Sequence, residues 1–498
     1  MTRPVRGTRA VPPALSWLVA ISFLAATILV PVSVAAAAEA SGDAVTADLG
    51  PIVCSSPFIS SAAARAWYRV PAVIKNARGD VLAFAERRNN SDGSDNGDFD
   101  IVMRKSSDGG RTWGPLKTVA NSGKNKVSSP VPVLDPRTGD VLLICMIRSA
   151  SGVYLGHYLQ RSTDGGNTFT ALSAGKLGPQ RAWIGRPGPG HAIVLTKGAH
   201  AGRILIAMGG SHDVGGVYSD DGGKTWKSGY AQVDPAGTDC VEGTIAELPS
   251  GALLVCYRDG KSTTPGRTKR YAYSYDGGAT LSAPLALLSG VRTPSVEGSA
   301  LNPLGSHSGE LLFSGPFYTS TSAPTKRRDM GIFVSKDGGA TWGKPYPVDL
   351  ESKAASYSDL VQMDDGTVGI LYETGRITWL ERIVFRTVRL DQLTNPTKVA
   401  SSLSAKLSAT TVTTAQTGKV NVVVTVKGIL RPLGKVAATY TNGTTSGTVS
   451  VTLSYTNLGK RQITLPKLKK GTYVISVTYQ GAFRISARTV SAGVLRVR

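Results

Sequence analysis

The sequence predicts an all-β protein in which a six-bladed β-propeller is followed by a smaller β-sandwich. Three observations lead to this prediction. A phrase of eight residues recurs five times, β-prone runs flank the copies, and the charge of the chain changes sharply near residue 401. The 498 residues are too many for one small domain and enough for a propeller with an additional module.

The recurring phrase has the pattern Ser-x-Asp-Gly-Gly-x-Thr, followed by an aromatic residue or leucine. Its five copies span 106–113, 162–169, 219–226, 274–281 and 335–342. Their aspartates are 56, 57, 55 and 61 residues apart, so the phrase marks a structural period. Asp-Gly-Gly suits a tight turn, because the carboxylate accepts hydrogen bonds from nearby amides and glycine tolerates positive φ. We therefore expect these aspartates to brace turns and not to act as catalysts.

A period of this length holds about four short strands, and such a sheet cannot cover both of its own faces. Stacking the sheets around an axis buries these faces and gives a β-propeller. The predicted propeller spans 51–393, which corresponds to six blades. Because the inner strands of all blades border one channel, functional groups are expected at intervals of one blade.

Residues 1–38 have the features of a signal peptide that is removed on export. Basic residues precede an apolar run over 15–34, and the alanine-rich stretch that ends at Ala38 offers a small-x-small cleavage site. We therefore expect a secreted, extracellular protein whose mature chain begins near Glu39. A retained membrane anchor is the alternative, because the apolar run is nearly long enough to span a bilayer.

Cysteine and histidine form no metal-binding or nucleophile motif in this sequence. The four cysteines fit no zinc pattern, and the five histidines are scattered without an HExxH motif. We expect no metal ion and no cofactor.

The first candidate site residues lie in the first predicted blade. Arg69 lies among apolar residues in WYRVPAV, which is an unusual place for a cation unless it faces an anion. The polar loop that follows carries Asp92, Asp95, Asp98 and Asp100, and one of these carboxylates is expected to reach over the channel. A surface ion pair for the arginine and a solvated loop for the aspartates are the alternatives.

A predicted hairpin brings a carboxylate and a guanidinium to one face of a sheet. Two β-prone runs flank the turn at 249–251, and antiparallel pairing around it places Glu242 approximately opposite Arg258. The pair is interpreted either as part of a site or as a structural cross-strand ion pair.

Residues farther along complete an ordered set. Arg327 and Arg328 precede another β-prone run, and Tyr357 and Glu373 follow in YSDL and LYE. The five copies of the eight-residue phrase are Asp boxes. Together with them, the YRVP start, the GPGH phrase at 188–191 and the RRDMG segment, this order resembles the exo-sialidases of glycoside hydrolase family 33. The similarity covers essentially the whole predicted propeller.

The resemblance implies how a substrate would be bound. Arg69, Arg258 and Arg327 would form a triad that clamps the carboxylate of sialic acid, with Arg328 as the alternative to Arg327. Three further residues would support the site: Arg88 as a substrate contact, Glu373 as the group that orients Arg69, and Trp183 as a pocket residue for which core packing is the alternative.

The resemblance also implies the chemistry. Tyr357 would be the nucleophile, Glu242 its base and Asp95 the acid/base group, with Asp92 and Asp98 as alternatives. The implied function is a secreted exo-α-sialidase that hydrolyses terminal sialic acid from glycoproteins, glycolipids or oligosaccharides. Configuration would be retained through a covalent tyrosyl intermediate. A non-catalytic sialic-acid-binding lectin or adhesin and a trans-sialidase are the alternatives.

The segment after the propeller has a different character. A linker is predicted over 394–404 and a β-sandwich over 405–498, where short alternating strands are separated by Gly and Asn turns. This module resembles bacterial Ig-like repeats. From 401 onward there are 14 Lys or Arg and no Asp or Glu, out of a net charge of +22 for the chain. We expect an anionic cell-surface polymer as its partner, no nucleic acid, and a monomeric protein. A spacer whose charge only aids solubility is the alternative.

Overall fold

The computed structural model describes residues 53–498, except 176, 178–184, 211–212, 234–237, 263, 265–266, 318–326, 350–352, 428, 430–431, 455 and 483. The predicted signal peptide and Trp183 lie outside the described residues. In the described part of the chain, no helix is both long enough and apolar enough to cross a membrane.

Short strands in chain order form the first part of the chain. The first strand and those of blades one and two are β1 (Cys54–Ile59), β2 (Trp67–Lys75), β3 (Val81–Arg88), β4 (Phe99–Ser106), β5 (Lys117–Ala120), β6 (Lys126–Leu134), β7 (Val141–Arg148) and β8 (Tyr154–Ser162). Blades three and four contain β9 (Arg186–Pro187), β10 (Ile193–Val194), β11 (Ile204–Gly209), β12 (Asp213–Ser219), β13 (Lys227–Val233), β14 (Cys240–Glu247), β15 (Leu253–Asp259), β16 (Lys269–Ser274) and β17 (Ala286–Leu287). Blades five and six contain β18 (Ser299–Leu301), β19 (Leu311–Pro316), β20 (Met330–Ser335), β21 (Tyr346–Pro347), β22 (Ala354–Asp364), β23 (Thr367–Gly375) and β24 (Arg382–Arg389).

These strands form a closed ring of six blades within the described residues. Each blade is an antiparallel sheet, and a single parallel bridge between Phe99 and Lys126 joins the sheets of blades one and two. The inner strand β2 contacts both β6 of blade two and β22 of blade six. Strand β1 pairs with β24, so the beginning of the propeller chain supplies the outer strand of the last blade. The predicted six-bladed propeller is confirmed.

Burial between blades explains the apolar strands. Strand β7 reads VLLICMIR, and all of its residues except the last are buried. Blades cover this strand on both faces, which is why it shows a continuous apolar run and no alternation. Among the described residues, four short helical segments lie outside the sheets: three turns of 3-10 helix at Leu172–Gly175, Gly198–His200 and Gly305–His307, and α1 at Asp391–Thr394.

The Asp boxes brace turns, as the sequence predicts. In the first box Asp108 accepts hydrogen bonds from the Thr112 hydroxyl at 2.6 Å, the Thr112 amide at 2.9 Å and the Ser106 hydroxyl at 2.7 Å. The bonds from Thr112 contribute most to lowering the pKa of Asp108 to about 2. The other four boxes repeat these bonds. Each carboxylate is therefore committed to its own turn.

The second glycine of each box also packs against the preceding blade. A β-carbon on Gly110, Gly166, Gly223, Gly278 or Gly339 would press on a buried side chain there, and these side chains are Phe385, Leu82, Leu142, Leu205 and Leu254 respectively. All five glycines have positive φ. The repeat thus joins neighbouring blades as well as closing a hairpin, which accounts for its invariant Gly-Gly.

Replacement of Gly110 by alanine is expected to destabilise the propeller by about 2–4 kcal/mol. The new methyl group would overlap the Phe385 ring and would also require a strained backbone at φ +90°. Gly123→Ala is the matched control, because Gly123 has φ +65° but open space around it. Denaturant unfolding of both variants measures the difference, and equal losses would show that inter-blade packing at the box contributes nothing.

The chain after the propeller forms two further sheets. Its strands are β25 (Ser401–Leu407), β26 (Thr411–Val412), β27 (Lys419–Val426), β28 (Gly434–Thr441), β29 (Ser446–Leu453), β30 (Lys460–Thr464), β31 (Gly471–Tyr479) and β32 (Arg488–Val497). The sheets have the orders β25-β27-β30 and β26-β32-β31-β28-β29, and their inner faces share one apolar core. The buried Arg484 contacts the propeller, with its guanidinium 4.6 Å from the centre of the Tyr346 ring.

The boundary of this sandwich differs from the prediction. Strand β25 begins at Ser401, within the stretch predicted as a linker over 394–404. Its sequence SSLSAKL alternates half-buried and exposed residues, and the small polar residues give it the composition of a linker. The resemblance of the module to Ig-like repeats stays a prediction.

Candidate active site

A cavity of about 680 Å³ lies where strands and loops of several blades converge. Blades one, two, three, four and six each supply lining residues, among them Asp95, Arg148, Arg186, Glu242, Arg258 and Tyr357. Residues that are far apart in the sequence therefore share one space, as expected for the channel of a propeller.

Tyr357 and Glu242 form a buried pair at this cavity. The Tyr357 hydroxyl donates a short hydrogen bond to Glu242 Oε1, and both residues are only 8% exposed. Burial, followed by the negative charge of Glu242, raises the pKa of Tyr357 well above its ordinary value. Burial acts to raise the pKa of Glu242 too, but the charge and hydrogen bond of Arg258 outweigh it and lower that pKa. The resting pair is thus a neutral phenol beside a carboxylate.

A β-bulge aims Glu242 at Tyr357. Val241 lies opposite Arg258 and Gly243 lies opposite Tyr257, so Glu242 is the extra residue, with φ +52°. The predicted hairpin is present, but its register differs by this bulge from the expected pairing of Glu242 with Arg258. The two side chains still meet, because Arg258 Nη1 donates to Glu242 Oε2 at 2.8 Å.

The three predicted arginines surround the Tyr357 side chain. The guanidinium carbons of Arg69 and Arg327 lie 5.5 and 5.9 Å from the centre of its ring, and Arg258 Nη1 donates to its hydroxyl at 3.2 Å. Arg327, and not the alternative Arg328, contacts the phenol ring in this way. Cationic side chains from blades one, four and five thus converge on one phenol.

The charges of this group do not balance. Glu373 pairs with Arg69 at 2.6 Å and Glu242 pairs with Arg258, whereas Arg327 forms no ion pair with any described residue. Its guanidinium donates only to Ser356 Oγ at 3.1 Å and to the Ser295 carbonyl at 3.2 Å. Burial, assisted by the neighbouring cations, lowers the pKa of Arg327. One positive charge is left over, which suits a ligand with a single carboxylate.

Glu373 fixes several parts of the site at once. This carboxylate is fully buried and accepts two hydrogen bonds from the Arg69 guanidinium, at 2.6 and 3.2 Å. It also accepts from the backbone amides of Val70 at 2.8 Å and Tyr357 at 3.3 Å. One side chain therefore positions both a substrate-binding candidate and the backbone of the nucleophile candidate.

Asp95 lies at the rim of the cavity, in the loop between β3 and β4. Its side chain is 87% exposed, and Oδ1 pairs with Arg88 Nη1 at 2.6 Å. Arg88 is buried and is held in turn by Glu86 Oε2 at 2.9 Å. The alternatives Asp92 and Asp98 bond to Ser94 and Asn89 within the loop and do not line the cavity. Of these three aspartates, the loop therefore presents only Asp95 to the cavity.

Sequence reasoning missed several residues of the site. Ser295 accepts a hydrogen bond from Arg258 Nε at 3.1 Å and offers its carbonyl to Arg327. Trp379 lies with its ring centre 5.5 Å from the Arg327 guanidinium. Arg148 and Arg186 line the cavity from blades two and three. A serine in a loop and a single arginine at a strand end carry no distinctive sequence signal. The tryptophan does carry one, because a large aromatic residue in a loop often contacts a ligand.

Among the described residues, no three His, Cys, Asp or Glu side chains converge as a metal site would require. The positions of the eight predicted site residues are thus accounted for by ion pairs and hydrogen bonds among themselves and with their neighbours.

Comparison with known proteins identifies similar chains. A sialidase of Micromonospora viridifaciens is 30% identical over 338 residues, which cover 62% of this chain and 50% of that protein. A sialidase of Bacteroides fragilis is 27% identical over 360 residues, covering 66% of this chain and 62% of its own length. This chain therefore spans about half to three fifths of these relatives.

Solved structures show the same fold. The Hadza microbial sialidase Hz136 is 24% identical with a TM-score of 0.54, and the match covers 66% of each chain. An intramolecular trans-sialidase from Ruminococcus gnavus is 19% identical with a TM-score of 0.55, over 68% of this chain and 98% of that one. The model of the BNR repeat-like domain matches residues 79–370, more than half of the sequence, and the chain belongs to that family.

Proposed function

We propose that this protein is an exo-α-sialidase that hydrolyses terminal sialic acid with retention of configuration, through a covalent intermediate on Tyr357. The observation that carries the proposal is the buried Tyr357–Glu242 pair, enclosed by three arginines with one unbalanced positive charge. The similarity to sialidases over the propeller agrees with it. A protein that only binds sialic acid has no need for a phenol hydrogen-bonded to a base.

The arginines would bind the substrate through its carboxylate. Guanidinium groups are permanently charged and match a carboxylate with paired donors. The anomeric carbon of sialic acid carries that carboxylate directly, so an anionic nucleophile would be repelled from it. A neutral phenol avoids this repulsion and becomes nucleophilic only when Glu242 removes its proton.

Two steps would complete the reaction. In the first, Tyr357 oxygen bonds to the anomeric carbon, its proton passes to Glu242, and the glycosidic C–O bond breaks as Asp95 protonates the leaving oxygen. In the second, Asp95 takes a proton from water, the water oxygen bonds to the anomeric carbon, and Tyr357 leaves and regains its proton from Glu242. Asp95 is accessible enough at the rim to serve both steps.

A fluorogenic sialoside, compared with matched neutral-sugar substrates, tests the activity. We expect release of fluorophore from the sialoside alone, and proton NMR is expected to detect the α-anomer of sialic acid as the first product. Binding without turnover would favour a lectin or adhesin. Transfer to added lactose in preference to water would favour a trans-sialidase.

We also propose that the protein is exported, with removal of the leader 1–38. N-terminal sequencing of protein recovered from the medium is expected to begin near residue 39. A start at Met1 in membrane-bound material would instead indicate a retained anchor.

The sandwich is proposed to bind an anionic polymer at the cell surface. Lys406, Lys419 and Lys460 lie exposed on the outer face of its three-stranded sheet, and the module contains no acidic residue. Replacing these three lysines by glutamate is expected to abolish retention on an acidic polysaccharide that the wild type releases only at raised salt. The matched control is the same triple replacement at the exposed propeller residues Lys197, Lys224 and Lys344. Equal loss in both proteins would indicate that only net charge matters.

A further inference from the structure

Two arginines at the cavity are not used by the proposed reaction. Arg148 ends strand β7 in blade two, and Arg186 begins strand β9 in blade three. Both line the cavity that contains Tyr357 and Glu242. They are separate from the arginines around Tyr357, which come from blades one, four and five.

Neither arginine has a counter-charge in the part of the chain that the structure describes. Among the described residues, no carboxylate lies within the 4.0 Å of an ion pair from either guanidinium. Arg148 Nε is also buried without a hydrogen-bond partner. Other arginines of neighbouring strands are paired, such as Arg161 with Asp140 at 2.6 Å and Arg203 with Asp220 at 2.7 Å. The Nε atoms of Arg87 and Arg104 are also buried without a partner, but Arg148 differs from them because it lines the cavity, where a ligand can supply the missing acceptor.

The two cations also disfavour each other. Burial, and after it the positive charge of Arg186, lowers the pKa of Arg148. Arg148 is half-buried and Arg186 is exposed, so solvent screens part of this repulsion, and an anion bound by both would offset the rest. Asp213 and Asp239 line the cavity as well, outside ion-pair distance of both arginines. These carboxylates repel anions, so we expect an anionic group to bind nearer to the two arginines than to Asp213 and Asp239.

We propose that Arg148 and Arg186 form a second anion subsite, which selects sialosides with a further negative group beside the scissile sialic acid. The proposal rests on the proposed function, because the arginines around Tyr357 would already hold the first carboxylate. Two sources supply the required anion: the carboxylate of a second sialic acid, or a sulfate ester on the adjoining sugar. Both offer oxygens that guanidinium groups bind through paired donors.

The test measures kcat/KM of the wild-type protein for three substrates. They are 3′-sialyllactose, α2,8-linked disialyllactose, and a sialyl-N-acetyllactosamine with a 6-sulfate. We expect at least one dianionic substrate to exceed 3′-sialyllactose by about tenfold or more, since a charge-assisted hydrogen bond typically contributes that much. In Arg148→Gln and Arg186→Gln this ratio is expected to fall by about tenfold, mainly through KM. Arg148→Lys keeps the charge and is expected to keep part of the preference.

Arg111→Gln is the matched control, because Arg111 is an exposed arginine of the first Asp box and should leave all three values unchanged. The disialyl and sulfated substrates separate the two sources of the anion. Cleavage of all three substrates with no dianionic preference, or with a preference that survives both Gln substitutions, would overturn the subsite and leave the proposed function intact. If none of the three substrates is cleaved, the proposed function itself is overturned.

Discussion

Replacing Tyr357 by phenylalanine is expected to lower kcat/KM for a natural sialoside by about 10³-fold or more, because the variant has no oxygen to attack the anomeric carbon. The ring itself would remain between Arg69 and Arg327, so binding of the substrate carboxylate should persist. Steady-state kinetics and calorimetric titration with sialic acid measure the two effects separately. We expect kcat to collapse while the dissociation constant changes little.

Tyr372→Phe provides the control for loss of a buried phenol oxygen. Tyr372 lies opposite Ser358 on the neighbouring strand, is fully buried, and donates its hydroxyl to Asp349 Oδ2 at 2.9 Å, outside the cavity. This variant is expected to lose some stability and to keep its kcat. Near-normal turnover by Tyr357→Phe, or an equal loss in both variants, would remove the covalent mechanism.

The period of the sequence determines more of this structure than any single motif does. Dividing the span 51–393 by the spacing of the five boxes predicts six blades, and a ring of blades places all inner strands around a common channel. Each blade runs from an inner strand at the channel to an outer strand at the rim. Residues at corresponding positions of the inner strands therefore lie close together, although they are far apart in the sequence. The period predicts only that functional groups meet at the channel, whereas the resemblance to the exo-sialidases implied which residues form the site.

The fine geometry could not be predicted in the same way. The bulge at Glu242 depends on the packing of Gly243, where a β-carbon would overlap the Tyr257 ring, and a glycine in a strand is compatible with several backbone paths. The pairing of Arg69 with Glu373 joins residues 304 apart, so no local pattern predicts it, and only the resemblance to the exo-sialidases implied that Glu373 orients Arg69. The sequence predicts a linker at strand β25 because composition alone does not distinguish small-residue strands from linkers.

Contacts made through the backbone were also beyond sequence reasoning. Ser295 accepts a hydrogen bond from Arg327 through its carbonyl oxygen, which any residue could offer. The residue type at position 295 therefore does not predict this contact. Arg148 and Arg186 are single basic residues at strand ends, where exposed arginines are common. Only the cavity shows that both residues line the same space as Tyr357.

Replacing Asp95 by asparagine is expected to have the second largest effect, and one that depends on the leaving group. For a natural sialoside the loss of the proton donor should lower kcat/KM by about 10²–10⁴-fold. An aryl sialoside with an acidic phenol as leaving group needs little protonation, so its kcat/KM should fall by about tenfold or less. Its hydrolysis should instead show a burst of released phenol, because Asp95 is also needed to activate water in the second step.

Asp92→Asn is the matched control for this experiment. Asp92 lies in the same loop, but its carboxylate accepts from the Ser94 amide at 3.0 Å and does not line the cavity. We expect this variant to retain activity on both substrates. Asp95 differs because Arg88, which is held by Glu86, fixes its carboxylate at the cavity rim. If Asp95→Asn slowed both substrates equally, or if Asp92→Asn reproduced its selective loss, proton donation would have to come from another group.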